Sequence, residues 1–306
     1  MILKFRFLKR YKTALILCGI ILFAGCSKRT TGPELIKPDQ RLVSREGTDS
    51  TFDIATWNVR DFPLEGRTTV STLARLIGDL DIDMFGLEEM NDTGAFNSLL
   101  DSLDDYNGFI SEYPGDMLKL GIIYKKNMVS ISTPFQIYTS DSYAFPRPPL
   151  ITYVEVKNEG KVVFSFSLIV NHLKAYGDPS SVDRRREACI KLKDYIDNQI
   201  LRSSDPDFIM LGDFNDRLND PPDQNVFEPF LQDSLANYLF LTQPLTSQAS
   251  YIGDYGNVID HIVISHSVEP AYQGGSTEIL KLETEFDAYT TVISDHRPVL
   301  SRFPVF

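Results

Sequence analysis

Residues 52–57 (Phe-Asp-Ile-Ala-Thr-Trp) alternate from side to side and carry β-formers, which predicts a strand. Val70, Leu73, Ala74, Ile77 and Leu80 then recur at helical spacing. An apolar run over 82–87 predicts a buried strand, and Phe96, Leu99, Leu100 and Leu103 mark a second helix. A β-rich stretch follows, with strands expected over 106–112, 119–124, 129–137, 151–156 and 162–170. Ala188, Leu192, Ile196 and Ile200 give a third helix, and 208–211, 258–264 and 298–303 read as further short strands. Pro146, Pro148 and Pro149, and again Pro221 and Pro222, mark loops. Mixed helices and many strands without a clean boundary argue for a single α/β domain of two sheets with helices outside. The sequence has no internal repeat and no low-complexity segment.

The pattern changes at the N-terminus. Residues 1–12 are basic, and 13–25 are apolar and end in small residues, the layout of a secretory signal. That run is shorter than the roughly 20 residues a spanning helix needs. Phe23-Ala24-Gly25-Cys26 resembles a bacterial lipobox, so Cys26 is the expected lipidated N-terminus of the mature chain. Ser27, in place of an aspartate, favours the outer membrane by the same resemblance. The expectation is a signal peptide over 1–25, a lipidated cysteine and flexible tether over 26–50, and a folded domain over 51–306. The alternative is a plain cleaved signal or an uncleaved anchor.

Of 306 residues, 42% are hydrophobic and 24% charged, enough for a large core. The formal net charge is -12, and five basic residues with no acidic ones lie in the leader, so the remainder is more acidic still. Such a surface has no broad attraction for DNA, which disfavours a static nucleic-acid binder. A nuclease is less affected, needing only local positive charge and a metal. Three cysteines, one of them in the leader, argue against a disulfide framework as the organising device.

Polar residues gather at the ends of the apolar strands, where α/β folds place their sites. Asn58 follows the first strand and could equally be a turn cap. Glu88 and Glu89 follow the second; a strand sends one inward and one outward, and a hard cation takes such carboxylates. His172 ends Ile169-Val170-Asn171 and is either a satisfied core histidine or a proton donor or phosphate contact. Gly212-Asp213-Phe214-Asn215 is the sharpest signal: in extended backbone Asp213 and Asn215 point the same way, one to accept a proton from water, the other to donate to phosphate. Asp260 runs into an apolar strand and needs a partner, ideally an imidazole, whereas His261 alternates to the opposite face and reads as structural. Asp295 and His296 precede the last strand, where Asp260 could hold one nitrogen of His296 as orienter of a base.

Taken together and in this order, Trp57-Asn58-Val59, Leu87-Glu88-Glu89, Asn171-His172-Leu173, Gly212-Asp213-Phe214-Asn215, Ile259-Asp260-His261 and Ser294-Asp295-His296 resemble the endonuclease/exonuclease/phosphatase superfamily, over roughly residues 52–303. The resemblance implies a deoxyribonuclease I-like four-layer sandwich, two mixed β-sheets flanked by helices. It implies that Glu89 ligates Mg²⁺ or Mn²⁺ with Asn58 and Asp295 nearby. By the same resemblance Asp213 and His296 activate water with Asp260 behind His296, His172 and Asn215 contact the scissile phosphate, and Arg147 binds phosphate. The chain departs from the pattern in three places. Glu88 stands where the family usually has glutamine. Leu118 or Lys119 stands where deoxyribonuclease-like members pair the first histidine with a glutamate, which leaves His172 as acid or as phosphate contact. The disulfides of those members are absent.

The expected function is metal-assisted in-line attack of water on a phosphodiester, with nucleic acid the first substrate class, in a monomer that needs no protein partner. The second is a lipid head-group or small-molecule phosphodiesterase or phosphatase; the third is an inactive binding protein on the same fold.

Overall fold

The computed structural model describes residues 40–112, 118–202, 206–232, 238–253 and 257–306. In chain order the first elements are β1 (Phe52–Phe62), α1 (Arg67–Leu80), β2 (Met84–Met90), α2 (Thr93–Leu100), β3 (Tyr106–Ile110) and β4 (Lys119–Lys125). Next come β5 (Val129–Ile131), β6 (Phe135–Gln136), β7 (Leu150–Asn158), β8 (Lys161–His172), α3 (Pro179–Arg202) and β9 (Phe208–Asp213). The remainder holds α4 (Glu228–Leu231), β10 (Tyr238–Phe240), β11 (Asp260–Ser265), α5 (Glu269–Tyr272), β12 (Ser276–Ile279), α6 (Tyr289–Val292) and β13 (Val299–Phe303).

The strands form two mixed sheets, ordered β12-β13-β1-β2-β4-β3 and β10-β11-β9-β8-β7-β5, with β6 on β7. Each sheet has one parallel pair in its middle, β1 with β2 and β8 with β9, and antiparallel neighbours elsewhere. The two sheets repeat one pattern although the sequence does not repeat.

Strand alternation assigns the layers. On β1, Phe52 and Ile54 join Met84, Val170, Ile209, Leu211 and Ile262 in the core between the sheets. The intervening Ala55, Trp57 and Val59 turn the other way and pack with Leu73, Leu76, Ile77 and Leu80 of α1. On the far side Ile169, Phe208 and Met210 meet Ala188, Leu192 and Ile196 of α3. The result is helix, sheet, sheet, helix, the four-layer sandwich expected from the motifs.

The strand ends stay close because Gly212 lets them. Its φ is +143°, and a Cβ there would lie 1.9 Å from the carbonyl oxygen of Asn171 on β8. Any side chain at 212 would push β9 off β8 just where Asp213 begins its turn.

Residues 41–50 differ from the expected tether. They belong to the compact unit Arg41–Phe306. Val43 is buried, Ser44 donates to Glu285, Arg45 pairs with Asp81 at 2.7 Å, and Glu46 and Gly47 donate to the Leu80 carbonyl. The segment lacks apolar periodicity, yet its polar groups fasten it to the end of α1, which composition alone does not reveal. Cys26, the signal segment and the rest of the tether through residue 39 lie outside the described residues. Among the described residues no helix is long and apolar enough to cross a membrane.

Candidate active site

The inter-sheet core ends in polar residues along one edge. Following each middle face two residues at a time, β1 runs Ile54, Thr56, Asn58; β8 runs Leu168, Val170, His172; β9 runs Ile209, Leu211, Asp213. β11, antiparallel to β9, enters that edge with Asp260, which sits opposite Asp213 in register. The turn before β13 delivers Ser294, Asp295 and His296 to the same edge, where β13 pairs with β1. Burial is close to complete for Asn58, His172, Asp213, Asp260 and His296.

Asp213 is the hub. Its Oδ2 lies 3.0 Å from Asn58 Nδ2, 3.5 Å from His172 Nε2 and 3.9 Å from His296 Nε2. Its Oδ1 accepts the Asn215 backbone N–H at 2.8 Å. Asp260 accepts from His296 Nδ1 at 2.9 Å, so the imidazole is oriented from behind. The Asn215 side chain reaches the site by a route other than strand alternation. The strand stops at Asp213, Asn215 takes a left-handed φ of +54°, and the resulting turn aims its Nδ2 at the Leu173 carbonyl at 3.2 Å. Arg147, buried, donates to that same carbonyl at 2.6 Å, which places it at the residue following His172.

Glu88 and Glu89 do not divide inward and outward as an extended strand would send them. Glu88 lies on the middle face, wholly buried, and accepts from Thr56 Oγ1 at 2.9 Å. Glu89 would point outward, but its φ of +63° turns it back to the edge. Its Oε1 accepts from Asn58 Nδ2 at 3.0 Å and its Oε2 from the Asp61 N–H at 2.9 Å. Arg60 and Asp61 have φ of +31° and +47°, a bulge in β1 that brings the Asp61 N–H to Glu89. Asp295 is half-buried on the same rim, 3.5 Å from the Arg60 guanidinium.

Burial and charge set the protons. Burial, then the nearby Asp260 charge, raises the Asp213 carboxyl to about 7. Burial opposes a charged His296, but the Asp260 and Asp213 carboxylates outweigh it and push the imidazole up to about 10. Burial, and then Arg147 and His296, hold His172 well below the ordinary histidine value, so it is neutral. Its Nδ1 is buried with no hydrogen-bond partner among the described residues, while Nε2 faces carboxylates. A neutral ring with its hydrogen on Nε2 fits that setting and suits a phosphate contact rather than an acid. Burial also drives Glu88 well above the carboxyl range; protonated, it presents one acceptor and one donor, much as the glutamine it replaces would.

Two positions could take a cation. Ligand atoms of Asp213, Asp260 and His296 lie within 4.8 Å of one another. There, however, His296 is committed to Asp260 and holds its proton, which a cation would have to displace. Glu89 offers carboxylate oxygens, the ligand type of a hard divalent ion, on a rim where Asp295 meets Arg60; Asn58 faces it through Nδ2 while its Oδ1 accepts the Arg60 N–H, so the amide would have to turn over to ligate. Four carboxylates, Glu89, Asp213, Asp260 and Asp295, gather along this edge, a setting in which a bound cation would offset their charge.

Residues to which the motifs gave no role hold the site together. Ser294 Oγ donates to the Asn58 carbonyl at 2.6 Å and accepts the His296 N–H at 2.9 Å, tying the last loop to β1. Tyr289 donates to the His296 carbonyl, and Trp57 Nε1 donates to Tyr289 at 3.0 Å. The Tyr251 ring lies 5.1 Å from the His296 ring, centre to centre. Only Trp57 and Ser294 stood inside the motifs; Tyr251 and Tyr289 carry no local signal. His261 proves structural, bonded to Thr242 and to the Asp216 carbonyl among Phe214, Phe227 and Phe240.

The sequence profile of the Endonuclease/Exonuclease/phosphatase family matches residues 55–296, from inside β1 to His296 itself. The chain belongs to this family. No curated protein matches it by sequence. Solved structures are similar in fold. D. rerio TDP2 complexed with a single-strand DNA product has a TM-score of 0.61 at 18% identity, covering 83% of this chain and 99% of its own. A Bacteroides vulgatus endonuclease/exonuclease/phosphatase has a TM-score of 0.60 at 17% identity, covering 84% and 99%. The human Nocturnin catalytic domain with bound sulfate gives 0.59 at 18% identity, covering 83% and 94%. The four-layer architecture of this family member is thus shared at low sequence identity.

Proposed function

We propose that this protein is a divalent-cation-dependent phosphodiesterase that hydrolyses nucleic acid outside the cytoplasm, held at a bacterial outer membrane by a lipid on Cys26. One observation carries the chemistry: Asp213 stands within 4 Å of Asn58, His172 and His296, with Asp260 behind His296. Asp213, which exchanges its proton near neutral pH, is the base that takes a proton from water. His296, kept as imidazolium, donates to the phosphoryl oxygens and offsets their charge. His172 Nε2, the Asn215 amide and Arg147 hold the phosphate for in-line attack. Glu89, Asn58 and Asp295 would hold Mg²⁺ or Mn²⁺, which supplies Lewis-acid stabilisation of the phosphate and the leaving oxygen. The DNA product named for the TDP2 relative supports nucleic acid as the substrate. The basic, apolar, small-residue pattern ending at Cys26 supports the anchor.

The full-length protein, recovered from membranes in detergent, is expected to cleave single-stranded DNA or RNA with Mg²⁺ and to stop in chelator. Hydrolysis of sphingomyelin or inositol phosphates without nucleic-acid cleavage would replace the substrate class. Failure on every phosphoester would remove the enzyme reading, and recovery in the soluble fraction without detergent would remove the anchor.

A further inference from the structure

A second recess opens beside the site. A cavity of about 510 Å³ shares Asn215 as a wall and is lined also by Tyr176, Arg186, Arg217 and Asn257. Its most unusual member is Tyr176, in the loop that leaves His172 toward α3. The Tyr176 side chain is 76% exposed, yet its backbone holds a φ of +79°, a region that bulky residues avoid. Strain of this kind persists where the surroundings over-determine it, and it clusters at functional sites.

The surroundings here are specific. Arg185, almost wholly buried, donates to the Lys174 carbonyl at 2.8 Å, to the Tyr176 carbonyl at 2.6 Å and to Asp216 Oδ2 at 2.8 Å. One guanidinium thereby fixes the Tyr176 loop to the turn that carries Asn215. Asn215 Nδ2, which reaches the Leu173 carbonyl, adds a second tie. The Tyr176 ring is thus presented at a set position relative to the phosphate-binding amide. Lys174 Nζ lies 4.4 Å from the ring centre, which fixes the ring face further.

The charges of the cavity select what enters it. Arg185 is paired with Asp216 at 2.8 Å, Arg186 with Asp183 at 3.1 Å and Arg217 with Asp220 at 2.5 Å, which leaves Asp223 as an excess negative charge on the walls. A second phosphate gains little there. A flat, neutral, hydrogen-bonding group gains an aromatic face from Tyr176 within walls that include the polar Asn257.

We propose that this cavity receives the nucleobase of a nucleotide flanking the scissile phosphate, with the Tyr176 ring as its stacking platform. The inference rests on the nucleic-acid reading above and adds a specificity residue to it. Arg185 is its positioning residue, and the side chain of Tyr176 makes the contact.

The test uses the full-length protein in detergent with Mg²⁺ and a single-stranded pentanucleotide whose only cleavable linkage is central. Two analogues lack the base on one or the other side of that linkage. For the wild type, one analogue is expected to show KM about tenfold higher with kcat little changed, the size of one lost base–aromatic stack. Tyr176→Ala should raise KM about tenfold on the parent and leave that analogue unchanged; Tyr176→Phe should behave as wild type. Equal losses on parent and analogue, or an unchanged KM on the parent, would overturn the subsite. A wild type that leaves every oligonucleotide intact would remove the nucleic-acid reading and the subsite with it. Wild-type cleavage with Tyr176→Ala unaffected would remove the subsite alone.

Discussion

Asp213→Asn is expected to lower kcat by about 10²- to 10⁴-fold while leaving the fold intact, the range a positioned general base supplies. The substitution keeps the size of the side chain and one acceptor for Asn58 or the Asn215 N–H, which now bind its two oxygens. It removes the one group in the hub that can take a proton near neutral pH. A second consequence has the opposite sign. Because burial raises the folded carboxyl to about 7 from 3.8, folding favours its protonated form. Its contribution is therefore complete only below the ordinary carboxylate range and is lost as pH rises through 7. In chelator at pH 8, Asp213→Asn should melt at a higher temperature than wild type. Circular dichroism melts and steady-state rates on the same preparation check both halves. Wild-type kcat in this variant would remove Asp213 from the chemistry.

Asp260→Asn should also be severe, and it should reshape the pH profile. On the proposed mechanism Asp213 acts as carboxylate and His296 as imidazolium, so kcat is expected to rise with pH through about 7 and to fall again near 10. Asp260 does most to hold the proton on His296 against burial. Without that charge the imidazole gives up its proton at lower pH, although Asp213 and Asp295 still favour it, so the falling limb moves down; the rising limb moves less, since burial rather than Asp260 does most to raise Asp213. The expected result is a loss of about 10²-fold or more at the optimum, with the alkaline limb displaced by more than one pH unit. The same shift bears on stability: the His296–Asp260 pair stabilises the fold fully below 6.5 and loses that effect as pH rises through 10. An Asp260→Asn profile with its alkaline limb in place would show that the imidazolium is held by something else.

Much of the site could be read from the chain because the fold is built from alternation. Ile209-Leu211-Asp213 and Leu168-Val170-His172 each continue an apolar face into a polar residue, and that is visible as period two in the sequence. Asn215 and Glu89 were named for sound chemistry, but the backbone that aims them was not foreseen. Each depends on a left-handed residue at a strand end, and neither is glycine, the residue that usually signals it. β10, β12 and α4 to α6 escaped notice because three or four residues cannot establish a period. Tyr289 and Tyr251 were invisible for a different reason: they meet His296 through tertiary packing, which no local spacing encodes. The packed segment 41–50 shows the same limit, since ion pairs with distant residues hold it rather than apolar periodicity.

In the proposed mechanism Glu89 anchors a divalent ion beside, and separate from, the Asp260–His296 pair. Calorimetric titration of the full-length protein with Mn²⁺ tests it most directly. Binding should be lost in Glu89→Ala and retained in His296→Ala. Binding that survives Glu89→Ala and disappears in His296→Ala would put the ion in the Asp213, Asp260 and His296 group and contradict the division of roles argued above.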